Sequence, residues 1–160
     1  MPPPPILNLG ELDCDRVLHT REQIYEVLPQ QYEFSQLDGI IHLDLEARAA
    51  AAYRDVRPDE WWCRGHMPGR PIFPGVLMVE CAAQLAGFAT HFVLPAAKGF
   101  MGFGGIDGAK FRDAVIPPAR ILFVCLAKDI RPRRIICENQ AYVDGKMVFE
   151  GTITGMWLPW

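Results

Sequence analysis

The sequence predicts an α+β fold in which an antiparallel sheet packs on one long helix, and three observations predict it. Residues 75–94 form an almost uninterrupted apolar stretch of helical length, opened by Pro74-Gly75. Residues 121–126, 134–143 and 147–157 are rich in β-branched and aromatic side chains. Between the last two runs stands Asp144-Gly145, and both residues tolerate the positive φ of a type I′ hairpin turn. One buried helix and an antiparallel meander make two layers around one core. The chain has 160 residues, and at ~150 residues per domain that is one such core.

Taken in order, Met1 to Pro5 is a proline run without the basic region and apolar stretch of a secretory signal. Polyproline geometry makes it extended, and residues 1–19 are expected to form a mobile extension ahead of one domain at 20–160. Thr20 is a candidate N-cap with Gln23 as its capping-box partner, followed by apolar Ile24, Val27 and Leu28 and a stop at Pro29. That predicts a short amphipathic helix. Residues 40–45 are β-rich and partly alternating, whereas Glu46 to Tyr53 contains four consecutive alanines and favours a helix on propensity alone.

Between His66 and Ile106 only Arg70, Glu80 and Lys98 carry formal charge, so the helix at 75–94 must be buried. A membrane span would place Glu80, Gln84, Thr90 and His91 in hydrocarbon, which disfavours it. The small residues Ala82, Ala83, Ala86 and Gly87 suit close packing on a flat sheet instead.

Composition narrows the function classes. A chain that is 50% hydrophobic and 22% charged can bury a core. Sixteen basic and nineteen acidic residues leave a net charge of −3, so nucleic acid is not an expected partner. The five cysteines are widely spaced, with no C-x-x-C pair, which points to a reducing, cytoplasmic setting rather than a disulfide framework or structural zinc. His19, His42, His66 and His91 show no paired ligand spacing, and the glycines from 99 to 108 do not form G-x-G-x-x-G. No metal, nucleotide or other cofactor is expected.

The chemistry concentrates in residues 65–87, where His66 precedes a Pro/Gly loop and Glu80 lies inside the apolar helix. Burial without a cationic partner favours the protonated form of a carboxyl group, which suits Glu80 to act as a general acid. Histidine can be neutral near pH 7 and accept a proton, so His66 can supply the base of an elimination or addition. A purely structural reading is also open, with Glu80 satisfied by Gln84 or backbone and His66 packed in the loop. Gly75 begins the helix, whose unpaired N–H groups and dipole can hold an oxyanion; a plain turn is equally compatible with this glycine.

The run H-M-P-G-R-P-I-F-P-G-V-L-M-V-E-C-A-A-Q at 66–84 resembles the H-F-P-G-x-P-[IM]-[FM]-P-G-V-L-x-x-E-A-x-A-Q signature of β-hydroxyacyl-acyl-carrier-protein dehydratases of the FabZ type. The resemblance continues through F-G-G-I-D-G-A-K-F-R-D-A-V-I-P-P at 103–118 and A-Y-V-D-G-K-M-V at 141–148. It implies a hot-dog fold, a sheet wrapped around the long helix, and a homodimer or trimer of dimers with active sites at the subunit interface. It also makes Ala49 to Val56 a strand, against helix propensity. Members convert (3R)-3-hydroxyacyl thioesters carried on acyl carrier protein to trans-2-enoyl thioesters in fatty-acid biosynthesis, without a cofactor. On that pattern His66 takes the C2 proton, Glu80 of the other subunit protonates the departing hydroxyl, and the Gly75 N–H polarises the thioester carbonyl. Pro74, Val76, Gln84 and Phe103 then contact substrate.

Several positions depart from the family pattern. L-P-Q-Q-Y-E-F-S-Q-L-D-G at 28–39 stands where the family has L-P-H-R-[YF]-P-F-L-L-V-D-R, and Gly102 stands where many members carry a tunnel-gating tyrosine, which predicts more room there. Pro118-Ala119 replaces Gly-Asp, and Trp61 to Arg64 replaces a phenylalanine-rich approach to the histidine. Cys63 has no accompanying triad pattern that would make it a nucleophile. Lys128, Arg131, Arg133 and Arg134 cluster at one turn, as a carrier-protein docking patch or simply a solvated hairpin tip. The alternatives to a fatty-acid dehydratase are a specialised polyketide-type dehydratase or isomerase and a catalytically weak acyl-thioester-binding protein.

Overall fold

The computed structural model describes residues 1–94 and 99–159. After a 3-10 turn at Leu9–Glu11 come β1 (His19–Thr20), α1 (Arg21–Val27), a second 3-10 turn at Tyr32–Phe34, β2 (Gly39–Asp44) and β3 (Ala49–Val56). Then follow α2 (Gly75–Val93), β4 (Phe100–Phe111), β5 (Ala119–Arg131), β6 (Arg134–Val143) and β7 (Lys146–Leu158). The strands form one antiparallel sheet in the order β1-β2-β3-β5-β6-β7-β4. It wraps around α2, which is the arrangement of a hot-dog fold.

Local chemistry explains the elements that the sequence announced. The Thr20 side chain accepts from the Gln23 N–H and the Gln23 side chain returns a bond to the Thr20 N–H, a complete capping box at the start of α1. Asp144 and Gly145 have φ of 49° and 76°, as the β6–β7 hairpin requires.

The alanine run is strand β3, paired to β5 from Ala49↔Leu126 to Val56↔Ala119. Ala50 and Ala52 face the helix and are fully buried beside Cys81, Ala82 and Leu85. Small side chains on both surfaces let α2 lie close to the sheet, and that burial outweighs the intrinsic preference of alanine for helix. Phe88, Phe123, Phe149 and Ile121 fill the rest of the interface, each hidden from solvent. Although α2 is long and apolar enough to cross a bilayer by composition, it is the core helix of this sheet.

Two features were not anticipated. Strand β4 occupies one edge of the sheet, and its alternation is broken by register shifts between Phe103 and Gly105 and between Asp107 and Lys110, so no clean period-2 signal marks it. The amino-terminal segment, expected to be mobile, packs against the outer face of the sheet. Ile6, Leu7, Leu9 and Leu12 cover Ile41, Ala51, Val124, Tyr142 and Met147. The Gln140 amide accepts from the Ile6 N–H at 2.8 Å and donates to Pro4 O at 3.0 Å. The prolines set the path, and the apolar residues behind them find a surface that only the assembled sheet provides.

Candidate active site

His66 lies at the end of a turn whose base is locked by buried groups. Arg54, on β3, forms ion pairs with Glu60 and with Asp38 at 3.5 Å, and its side chain is almost wholly enclosed. Glu60 also accepts from the indole N–H of Trp62 at 3.2 Å, and Trp62 meets the Phe73 ring edge-on at 5.5 Å. A buried charge needs such partners, and together they hold both ends of the 62–73 loop. The Trp62 carbonyl then accepts the His66 N–H at 2.8 Å.

The imidazole Nδ1 lies 2.7 Å from the carbonyl oxygen of Ile72. A carbonyl can only accept, so Nδ1 carries the hydrogen, and in the neutral ring Nε2 is left with its lone pair. Nε2 has no hydrogen bond among the described residues. The half-buried ring is therefore fixed at its Nδ1 end.

Glu80 projects from α2 beside β4. Its Oε1 accepts from the Gln84 side-chain amide at 2.7 Å, one helical turn on, while Oε2 makes no hydrogen bond among the described residues. Glu80 is half-buried rather than enclosed, because a cavity of about 50 Å³ opens on it between α2 and β4. This corrects the fully buried carboxylate foreseen from the apolar helix: small Ala83 and Gly87 leave that face uncovered. His66 and Glu80 do not bond each other within one chain.

At the start of α2 the N–H groups of Leu77 and Met78 turn back to Pro74 O, at 2.9 and 3.2 Å. Those of Gly75 and Val76 have no hydrogen-bond partner among the described residues, and they stand at the positive end of the helix dipole. A Cβ at Gly75 would lie 2.9 Å from the Phe111 ring, so this position admits the β4 side chain only as glycine.

The other expected substrate contacts divide. Phe103 lines the cavity beside Glu80. Val76 is 75% exposed and Pro74 is buried under the helix start. Gln84 does not face outward at all. Its oxygen accepts from Tyr25 Oη at 2.6 Å and from the Gln36 N–H at 3.2 Å, and its NH₂ donates to Phe34 O and to Glu80. All four bonding positions of the amide are used inside the chain, which leaves none for a substrate.

Tyr25 completes this relay by accepting the Leu37 N–H at 2.7 Å, and burial pushes its phenol up from the usual range, so it stays a donor. Tyr25 and Arg54 were missed from the sequence, since nothing local distinguishes them from surface residues. Gly102 opens less room than expected: a side chain there would meet Leu158 at 2.5 Å, so Leu158 occupies that space.

The basic cluster sits on the β5–β6 hairpin. Lys128 pairs with Glu138, while Arg131 and Arg134 both pair with Asp129, and Arg133 has no ionic partner among the described residues. Cys63 donates to Arg57 O at 3.5 Å. Among the described residues no group of three His, Cys, Asp or Glu side chains converges to hold a metal ion.

A sheet wrapped on a central helix, with a histidine loop before the helix and a carboxylate on it, defines a hot-dog domain. The chain belongs to the FabA-like domain family, whose model matches residues 28–152. Its fold is similar to the dehydratase heterocomplex ApeI:P from Xenorhabdus doucetiae, with a TM-score of 0.73 and 13% identity over 84% of this chain and 90% of that one. It is also similar to AziG of S. sahachiroi, at TM-score 0.59 and 17% identity over 76% and 90% of the two chains. The putative thioesterase yhdA from Lactococcus lactis matches at 0.57 and 12%, over 69% and 82%. The fold therefore spans dehydratases and thioesterases, and the site must discriminate between them.

Proposed function

We propose that this protein is a dehydratase of the FabZ type, converting (3R)-3-hydroxyacyl thioesters on acyl carrier protein to trans-2-enoyl thioesters in fatty-acid synthesis. The observation that carries the reading is the Nδ1–H bond from His66 to Ile72 O, which leaves Nε2 as the base. His66 Nε2 takes the proton from C2, the C2 electron pair forms the double bond, and the C3–O bond breaks. Glu80 gives its proton from Oε2 to the departing hydroxyl, which leaves as water, while Gln84 holds Oε1. Charge that builds on the thioester oxygen is met by the Gly75 N–H.

The two groups come from different subunits. Strand β4 lies at one end of the sheet order, and pairing it with β4 of a second copy removes that edge. A homodimer of this kind supports a site completed across the interface. Elimination needs one group to take the C2 proton and another to protonate the leaving C3 hydroxyl, roles that suit Nε2 and Oε2; hydrolysis would need a positioned water or nucleophile instead.

The test follows enoyl formation from 3-hydroxyacyl thioesters on carrier protein and on coenzyme A. His66→Ala and Glu80→Gln are each expected to lower the rate by ~10²-fold or more with the fold retained. A wild-type protein that releases free thiol instead of forming enoyl product is a thioesterase, and one that binds thioesters with no turnover is a binding protein; either result overturns the proposal.

A further inference from the structure

Glu80 stands at the end of a series of hydrogen bonds whose directions are fixed at the far end. The Leu37 N–H can only donate, so at 2.7 Å it makes Tyr25 Oη an acceptor and leaves the one phenol hydrogen for another partner. That hydrogen goes to Gln84 Oε1 at 2.6 Å, where the Gln36 N–H also donates at 3.2 Å. Two donors on one oxygen fix the polarity of the amide. The Gln84 NH₂ then points the other way, to Phe34 O and to Glu80 Oε1, each at 2.7 Å. Oε1 is therefore an acceptor, and in the protonated acid the hydrogen resides on Oε2.

Tyr25 joins α1, the 34–37 segment and Gln84 through a single oxygen. Burial favours the protonated phenol, so the donor is always present. Hydrogen bonds in series polarise one another, and donation to Gln84 Oε1 strengthens what the NH₂ gives to Glu80. Arg21 holds the same segment separately, donating to Ser35 O, Leu37 O and the Asp38 carboxylate. The segment thus has an anchor besides the phenol, and what the phenol alone supplies is the strong donor to Gln84.

Resting on the dehydratase reading above, we propose that Tyr25 is a positioning residue for the acid: acting through Gln84, it holds Glu80 Oε1 as an acceptor and keeps the transferable proton on Oε2. It serves the departure of the hydroxyl and not the removal of the C2 proton by His66.

The test separates those two halves of the reaction. A 3-chloroacyl thioester gives its C2 proton to His66 and releases chloride with the C3–Cl bond pair, so it needs no proton from Glu80. Tyr25→Phe is expected to lower kcat for the 3-hydroxyacyl thioester by ~10-fold with KM unchanged, and to change elimination from the 3-chloro compound by less than ~2-fold. His66→Ala should lower both. Equal losses on the two substrates mean a general disturbance of the site and overturn the inference, as does an undiminished rate on the hydroxy substrate.

A second readout needs no turnover: the NMR signal of the Glu80 carboxyl carbon in protein labelled with carbon-13 glutamate, assigned by its absence in Glu80→Gln. It should move in Tyr25→Phe more than the signal of any other glutamate. Should phenylalanine prevent folding, 3-fluorotyrosine at position 25 is a stronger donor of nearly the same shape and should move the same signal. An unmoved signal overturns the inference even where dehydration proceeds. A wild type that forms no enoyl product, while the Glu80 signal responds to position 25, removes the proposed reaction and leaves the positioning role standing.

Discussion

Four hydrogen bonds saturate the Gln84 amide, and Glu80 is aimed through one of them. The carboxylate is thus positioned by α1, by the 34–37 segment and by its own helix together. Cysteines show the opposite extreme, where burial alone sets behaviour. Burial pushes the Cys137 thiol up to about 12, and it raises Cys81 and Cys125 as well. Thiolate is the reactive form, so at pH 8 only about one Cys137 in ten thousand is ionised. Ellman titration of the native protein at pH 8 should therefore find Cys14 reacting promptly and these three silent until denaturant is added. Prompt reaction of any of the three would contradict the buried core drawn here.

Among the elements, α2 and β4 determine how much space lies beside Glu80. A Cβ at Gly87 would meet Leu28 at 3.6 Å and Met101 at 4.0 Å, which is ordinary contact, so this helix glycine is not needed for packing. Gly87→Ala is expected to raise stability by about 0.5–1 kcal/mol, as glycine costs that much in a helix interior, while narrowing the cavity. Gly99 is different: its φ is 144° and a Cβ would lie 2.1 Å from Leu158 O. Gly99→Ala should be destabilising, and urea unfolding of the two variants checks both signs. The pattern of residues was legible for α1, α2, β2 and the β6–β7 hairpin, because caps, turns and periodicity are local. Strand β4 was not, because its bulges break the alternation that a strand is recognised by.

For the molecule as a whole, the amino-terminal strap closes the sheet face that α2 does not cover. Ile6, Leu7, Leu9 and Leu12 are only partly buried, so the area they remove from water is modest and is offset by the entropy of ordering the strap. Deletion of residues 1–12 should lower unfolding free energy by about 1–3 kcal/mol and increase binding of a hydrophobic dye. Unchanged stability would mean that the strap contributes no net burial energy. The sequence by itself determined the long core helix, the capped helix before it, the terminal hairpin, and the His66 and Glu80 positions within a family pattern. These rest on spacing along the chain. Only the tertiary structure decided that the alanines form a strand, that Gln84 is spent inside the chain, that Leu158 fills the space at Gly102, and that the strap is packed. Each of those depends on which surface a residue meets across the fold, and burial energy between distant segments outweighs the local preferences that a sequence displays.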